Sequence, residues 1–199
     1  TALSREEIKV MADAGRQHGL RVHMDGARLF NAAVALETPA AELAADADSV
    51  GFCLSKGLAC PIGSVLCGDA DFIEEARRWR KMLGGAMRQV GVVAAAGVVA
   101  LDSMIDRMAD DHANARKLAS AIAEMPGIDI DLSNVETNIV RFGVPAHRGN
   151  EIQSRLKDEG VLINGGDSDL RFVPHYGIDS EDIDIAINAM DKVMAEIGG

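Results

Sequence analysis

Aromatic side chains are scarce in this chain, at 4% of residues with one tryptophan, one tyrosine and five phenylalanines. The core must therefore come from Ala, Val, Ile, Leu and Met, which favours an α/β or helical architecture over an aromatic-rich sandwich. Positive charge is also in deficit: 20 Lys and Arg face 31 Asp and Glu, for a formal charge of -11 and a pI near 4.8. That field repels phosphate backbones and argues against nucleic-acid binding. The basic cluster in Glu75–Lys81 reads first as the solvated face of an amphipathic helix, with an anion-collecting patch as the alternative. Only three cysteines occur, Cys53, Cys60 and Cys67, too few and too odd in number for a disulfide framework. Gly57, Pro61 and Gly63 would break any helix that aligned them for a metal, and no histidine lies nearby, so they read as small buried thiols and no metal site is expected. The longest apolar stretch, Val90 to Leu101, is too short and too rich in Gly and Ala to span a bilayer. The expectation is a cytoplasmic protein without membrane contact.

What is present fits a folded chain. Hydrophobic residues make up 48% and charged residues 26%, near the globular average. The 199 residues suffice for about a domain and a half. Ser4 followed by Glu7 has the spacing of a capping box and starts a helix with Ile8, Met11 and Ala12 on one face. Gly19 ends it at a position open to positive φ. Leu20–Met24 reads as a strand, Ala27–Leu36 and Ala40–Ala45 as helices, Ser49–Leu54 and Ser64–Cys67 as strands. This βαβ-like order implies a mainly parallel sheet.

Phe72–Leu83 reads as a charged helix, Gly84-Gly85 as a break, and the stretch from Val90 through Met108 as one long helix. Beyond it are expected a helix over Asn114–Met125, strands near Ile128–Leu132 and Asn138–Phe142, a helix over Gly149–Glu159 and strands around Val161–Ile163 and Leu170–Val173. Ser180 can cap a last helix with the stripe Ile183, Ile187, Met190 and Ile197. The organisation predicted is a first domain over residues 1–108 and a smaller α+β domain over 109–199.

Asp25 and Arg28 stand where the first strand runs into a glycine-containing turn, the edge at which open parallel sheets collect ligands. On its own the Asp25 carboxylate could cap the next helix, bind a metal, act as a general base or pair with a cationic ring nitrogen. Lys56 lies in Gly51–Gly63, a run with no other charge. Apolar surroundings would desolvate its ammonium and free the amine for Schiff-base chemistry, against the alternative of a solvated loop lysine. Both residues follow strands of one βαβ arrangement, so both can reach the same sheet edge. An amine-bearing lysine with an acidic partner for a pyridinium nitrogen is a recurring protein contribution in pyridoxal-phosphate (PLP) enzymes. Arg171, in Asp169–His175, reads either as a strand-edge surface arginine or as a carboxylate fork. His112, His147 and His175 read as surface or packing histidines, with His175 close enough to Arg171 in sequence to line the same cleft.

Three segments carry a resemblance. His23–Ala32 is similar to the segment around the pyridine-binding aspartate of the L-threonine aldolase family, Leu54–Gly68 to its cofactor-lysine segment, and Trp79–Gln89 to the stretch that follows. Ala59-Cys60 departs from the Gly-Ala expected there. The resemblance implies an α/β fold of the PLP-dependent transferase-like type (fold type I): part of the large-domain parallel sheet, then a smaller C-terminal α+β domain. It implies that Lys56 carries pyridoxal 5'-phosphate, that Asp25 pairs with its ring nitrogen, and that Ser55 and Arg88 serve the phosphate, with Arg88 near a subunit boundary of a homo-oligomer, dimer or tetramer. Arg28 would belong to the cofactor-binding set as well as the substrate-binding one, and Arg28 and Arg171 would hold the substrate carboxylate. The implied activity is that of a carbon–carbon lyase (an aldehyde-lyase), cleaving L-threonine, L-allo-threonine and related β-hydroxy-α-amino acids to glycine and an aldehyde. The alternatives are another PLP reaction on the same scaffold, β-elimination or racemisation, or a catalytically silent fragment. Family members are longer, so the chain is expected to correspond to a C-terminal portion. No glycine-rich phosphate loop of the kind that opens a helix precedes Asp25.

Overall fold

The computed structural model describes residues 1–198. The chain divides into two compact units, one over Ala2–Arg107 and one from Met108 onward.

In the first unit, helix α1 (Arg5–Gln17) opens on a complete capping box. The Glu7 amide donates to Ser4 Oγ at 3.3 Å, and the Ser4 amide donates to Glu7 Oε2 at 2.8 Å. Gly19 follows the helix with φ of 69°. Of the apolar face expected for α1, Ala12 is buried and Ile8 packs against the core, whereas Met11 is 53% exposed. Strand β1 is only His23–Asp25. The expected residues before it do not pair as a ladder, because the Asp48 carboxylate takes the Val22 amide at 2.7 Å.

Helices α2 (Leu29–Ala35) and α3 (Ala40–Leu43) cross over to β2 (Ser49–Cys53), which runs parallel to β1. Strand β3 (Ser64–Gly68) then pairs with β2 antiparallel, from Ser49↔Gly68 to Cys53↔Ser64. The mainly parallel sheet read from element order is thus corrected for this strand. A parallel pair needs a crossover of a dozen or more residues, and the connection from Leu54 to Gly63 is too short and carries no helix. Leu29, Ala33, Leu43 and Val50 form the core under this sheet, with Met24 and Leu36 packed against them. Phe30 and Phe52 meet edge to face at 5.2 Å.

Asp69 caps α4 (Ala70–Met82) by accepting from the Phe72 amide at 2.8 Å. Helix α5 (Gly91–Ser103) is apolar on all sides, and Gly97 lets Leu54 approach closely: a Cβ there would lie 3.1 Å from a Leu54 methyl. The single long helix expected to run on to Met108 is two helices. Ser103 Oγ donates back to the Val99 carbonyl at 2.7 Å, a bond that competes with helix continuation, and α6 (Met108–Ala123) starts afresh, earlier than the Asn114 expected.

In the second unit, an antiparallel sheet of order β4-β6-β5 comprises β4 (Val140–Gly143), β5 (Asn164–Gly165) and β6 (Asp169–Phe172). It packs with α6, α7 (Gly149–Asp158) and α8 (Ser180–Gly198) around Leu118, Ile122, Phe142, Ile152, Leu170 and Met190. Phe142 and Phe172 stack at 5.6 Å. The strand expected near Ile128–Leu132 is reduced to a single bridge, Asp129↔Gly143, because Asp131 takes the Ser133 amide and turns the chain into a 3-10 helix over Leu132–Asn134. Strand β5 falls at Asn164–Gly165 and not at Val161–Ile163. The cap of α8 is Asp179, which accepts from the Glu181 and Asp182 amides at 2.8 and 3.1 Å, while the Ser180 hydroxyl faces Lys117.

Candidate active site

Asp25 is the last residue of β1, in register with Gly51 of the neighbouring parallel strand. Ser55 and Lys56 lie just past the end of β2. Parallel strands deliver their C-terminal ends to one edge, so the carboxylate and the amine emerge on the same edge of the sheet. The chain keeps this edge tight at Gly26, whose amide donates to the Gly51 carbonyl at 2.8 Å. A Cβ on Gly26 would stand 3.2 Å from that carbonyl, 3.2 Å from Leu29 and 3.3 Å from Val50.

The Asp25 carboxylate is exposed and accepts from the Ala27 amide at 3.2 Å. It closes a local turn and does not cap α2, whose cap position is held by Arg28 with no side-chain capping bond. Arg28 is half-buried at the head of that helix.

The Lys56 loop is tied down on both sides. The Leu54 amide donates to the Gly63 carbonyl at 2.9 Å, the Cys60 amide to the Leu54 carbonyl at 3.0 Å, and the Ala59 amide to the Lys56 carbonyl at 2.9 Å. Leu54, Gly57, Leu58 and Cys60 are buried, and burial pushes the Cys60 thiol up from its ordinary value. Ser55 and Lys56 are exposed. This corrects the expectation that apolar neighbours enclose the lysine: they point inward and anchor the loop, leaving the amine in solvent. Ala59 holds φ of 57°, a left-handed conformation in a residue other than glycine, at the position where the sequence departs from Gly-Ala.

Arg88 is exposed in the non-helical connection between α4 and α5, beside Gln89 with φ of 51°. The basic side chains Arg77, Arg78, Arg80 and Lys81 lie exposed on α4, a helix that buries none of its residues. The three cysteines are free thiols. Among the described residues no cluster of His, Cys, Asp and Glu has the make-up of a metal site, and no helix is long and apolar enough to cross a membrane.

In the second unit, Arg171 is exposed on β6, opposite Arg141 and Asn164. Two arginines facing each other across a sheet repel, and Asp169 relieves this by accepting from Arg141, whose guanidinium is held above its ordinary value by that bond. Arg171 itself makes no such pair with Asp169. His175 lines a cavity of about 210 Å³ with Leu118, Phe172, Asp182 and Ile183. Arg171 is not part of the wall of this cavity, and it leaves β6 on the face opposite Phe172. His112 is a buried packing residue, and His147 bonds Asp167 at 2.8 Å on the surface.

His23 escaped the sequence reading. It lies two positions before Asp25 on the same sheet face, and its Nδ1 is 2.9 Å from Ser49 Oγ on β2. The alternation of β1 was the available signal; the register that brings Ser49 opposite was not.

Comparison with known proteins places these elements in a known context. The chain is 39% identical over 196 residues to low-specificity L-threonine aldolase 1 of Arabidopsis thaliana, a match covering 96% of this chain and 55% of that protein. It spans about half the length of the curated relatives it matches. Its fold is that of a protein from Exiguobacterium sp. 255-15 described provisionally as an aromatic amino acid beta-eliminating lyase/threonine aldolase, at 23% identity and a TM-score of 0.79 over 97% of this chain and 58% of that one. A PLP-dependent aminotransferase from Streptococcus suis shares it at 14% identity and a TM-score of 0.71, covering 98% of this chain and 54% of that one. This is the PLP-dependent fold type I. The family model of beta-eliminating lyases matches residues 1–144, the larger part of the sequence, and the chain belongs to the beta-eliminating lyase family.

Proposed function

We propose that the protein is a PLP-dependent carbon–carbon lyase that cleaves L-threonine, L-allo-threonine and related β-hydroxy-α-amino acids to glycine and an aldehyde. The observation that carries this reading is the common edge of β1 and β2, where Asp25 and Lys56 emerge from adjacent parallel strands. The donor set fits the cofactor: a carboxylate suits a protonated ring nitrogen, an accessible amine suits an aldehyde carbon, and the neighbouring hydroxyl of Ser55 suits a phosphate oxygen. Lys56 would hold the cofactor through Nζ, Asp25 would pair with the ring nitrogen, and Ser55 and Arg88 would serve the phosphate. When bound, PLP supplies an electron-accepting ring.

The chain's own residues supply position and charge. Arg28 and Arg171 are proposed to hold the substrate carboxylate, each able to donate two parallel hydrogen bonds. Holding the carboxylate fixes which bond at Cα is aligned for cleavage, and such alignment accounts for a large share of catalysis in bound reactions. The likeness to a low-specificity L-threonine aldolase at 39% identity supports the choice of the Cα–Cβ bond.

The protein is further proposed to work in the cytoplasm as a homo-oligomer, dimer or tetramer, with Arg88 near a subunit boundary. The exposure of Met82, Leu83, Met87, Val90 and Val92 around it supports this, since apolar clusters of that kind mark association surfaces. The family description favours a second reading, β-elimination on the same scaffold. Incubating the full-length, PLP-loaded protein with threonine decides between them. Acetaldehyde and glycine in equal amounts are expected, whereas ammonia with a keto acid would replace the first reading by the second.

A further inference from the structure

We propose that His23 and Ser49 act as a positioning pair for the Asp25 carboxylate, an inference that rests on the role given to Asp25 above. The alternation of β1 puts His23 and Asp25 on one face of the sheet and Met24 on the other. The parallel register sets His23 against Ser49 and Asp25 against Gly51, so these four residues form one patch. Across it, His23 Nδ1 lies 2.9 Å from Ser49 Oγ. Ser49 is only 8% exposed, and a buried hydroxyl does not readily exchange its partner for water.

The other end of the ring is directed by what Gly51 lacks. A Cβ built on Gly51 would lie 3.7 Å from His23 Nε2 and 3.8 Å from Cε1. The imidazole therefore leans along the sheet from Ser49 toward Gly51 and lies in contact with the place that a Cβ opposite Asp25 would take. Asp25 Oδ1 accepts from the Ala27 amide at 3.2 Å, the long end of the hydrogen-bonding range, and a carboxylate has further lone pairs to offer.

The pair works as follows. Ser49 Oγ–H donates to His23 Nδ1, which fixes the ring proton on Nε2, because the bond made by one imidazole nitrogen sets the protonation of the other. Nε2–H, which makes no hydrogen bond among the described residues, is then the donor available to Asp25 Oδ2. With Ala27 N–H on one oxygen and His23 Nε2–H offered to the other, the plane of the carboxylate would be set when the cofactor's ring nitrogen is held. His23 touches neither substrate nor cofactor in this scheme and acts through Asp25 alone.

The test uses the full-length protein, with and without PLP. Long-range ¹⁵N–¹H correlation spectra of the His23 imidazole are expected to show the Nε2–H tautomer, with an Nε2 resonance that moves in Asp25→Asn and stays in place in Lys56→Ala. Ser49→Ala should give a mixture of tautomers and weaken PLP binding by about tenfold, the lower end of what outer partners of a ligating group contribute. His23→Gln, whose amide nitrogen can reach the Nε2 position, should recover most of the affinity that His23→Asn loses. An Nδ1–H tautomer in the unmodified protein, an Nε2 resonance indifferent to Asp25→Asn, or His23→Asn binding PLP as well as His23→Gln would overturn the proposal. Neither readout involves an amino-acid substrate. A protein that binds PLP but leaves threonine intact therefore refutes the proposed reaction and not this pairing.

Discussion

Replacing Ala59 with glycine is expected to stabilise the protein, although it removes a methyl group and adds nothing. Ala59 closes the Lys56 turn with φ of 57°. An L-residue in that conformation brings its Cβ too close to the following carbonyl, at a cost of roughly 1–2 kcal/mol that glycine escapes. Against this stands the larger backbone freedom of glycine in the unfolded chain, worth about 0.4–1 kcal/mol. Ala59 is exposed, so little buried surface is lost with its methyl group. The net gain is about 0–1.6 kcal/mol, centred near about 0.8, and the central value is equivalent to a rise of about 2–3 °C in Tm for a chain of this size. Urea unfolding of the full-length protein should show a higher midpoint for Ala59→Gly at unchanged slope, and a lower one for Ala59→Val, whose branched Cβ worsens the contact. If Ala59→Gly is destabilising at the same slope, the turn does not carry the strain inferred. The Lys56 carbonyl bond to the Ala59 amide involves backbone only, so cofactor attachment should be unaffected.

Three substitutions test the proposed roles. Lys56→Ala should abolish covalent capture of PLP and nearly all turnover; after borohydride reduction of the unmodified protein, peptide mapping should find the label on Lys56, and a label on Lys81 or Lys117 would displace the assignment. Asp25→Asn should keep the fold, since its bond from the Ala27 amide needs only an acceptor oxygen, yet lose most of the rate because an amide does not keep a ring nitrogen charged; unchanged turnover removes Asp25 from the site. Arg171→Ala should weaken amino-acid binding by roughly 1.5–3 kcal/mol, the range for hydrogen bonds to a charged group, and a KM and kcat both equal to the parent's would make Arg171 a surface residue.

Local chemistry was the legible part of the sequence. Ser4 and Glu7 announced the start of α1 because a capping box is complete within four residues, and Gly19 announced its end for the same reason. Asp25 and Lys56 are legible at strand ends because Asp25 follows the alternating run Leu20–Met24 and Lys56 follows a short, mostly apolar one. Much of what the sequence hides depends on partners distant in sequence. Nothing in Leu20–Val22 says that Asp48 will take the Val22 amide, so β1 was read too long. The direction of β3 depends on how little chain separates it from β2, a length that periodicity does not weigh. The surroundings of Lys56 were read from its neighbours in sequence, but Leu54, Leu58 and Cys60 face inward while Lys56 does not. The continuous apolar pattern from Val90 to Met108 hides the break after Ser103, where the hydroxyl bonds back to the Val99 carbonyl. The pairing of His23 with Ser49 spans 26 positions and exists only once β1 and β2 are in register.

The antiparallel pairing of β2 with β3 also bears on the order of events during folding. Hairpins of adjacent strands close in about 1–10 μs, whereas a parallel pair must wait for its crossover, and distant contacts form more slowly than near ones. Strands β2 and β3 form such a hairpin around the Lys56 loop, while β1 reaches β2 only through α2 and α3. The perch of the lysine is therefore complete before the strand that carries the carboxylate has docked beside it. In pulse-labelled hydrogen exchange during refolding, the amides of Leu54 and Cys60, bonded within the loop, should gain protection ahead of the Gly26 amide, bonded across to Gly51. Gly26 protected first would reverse the order. If Lys56 carries the cofactor as proposed, an amine presented early on a finished loop would meet its aldehyde before the rest of the site exists, and the cofactor would enter as a participant in assembly and not only as a guest of the finished fold.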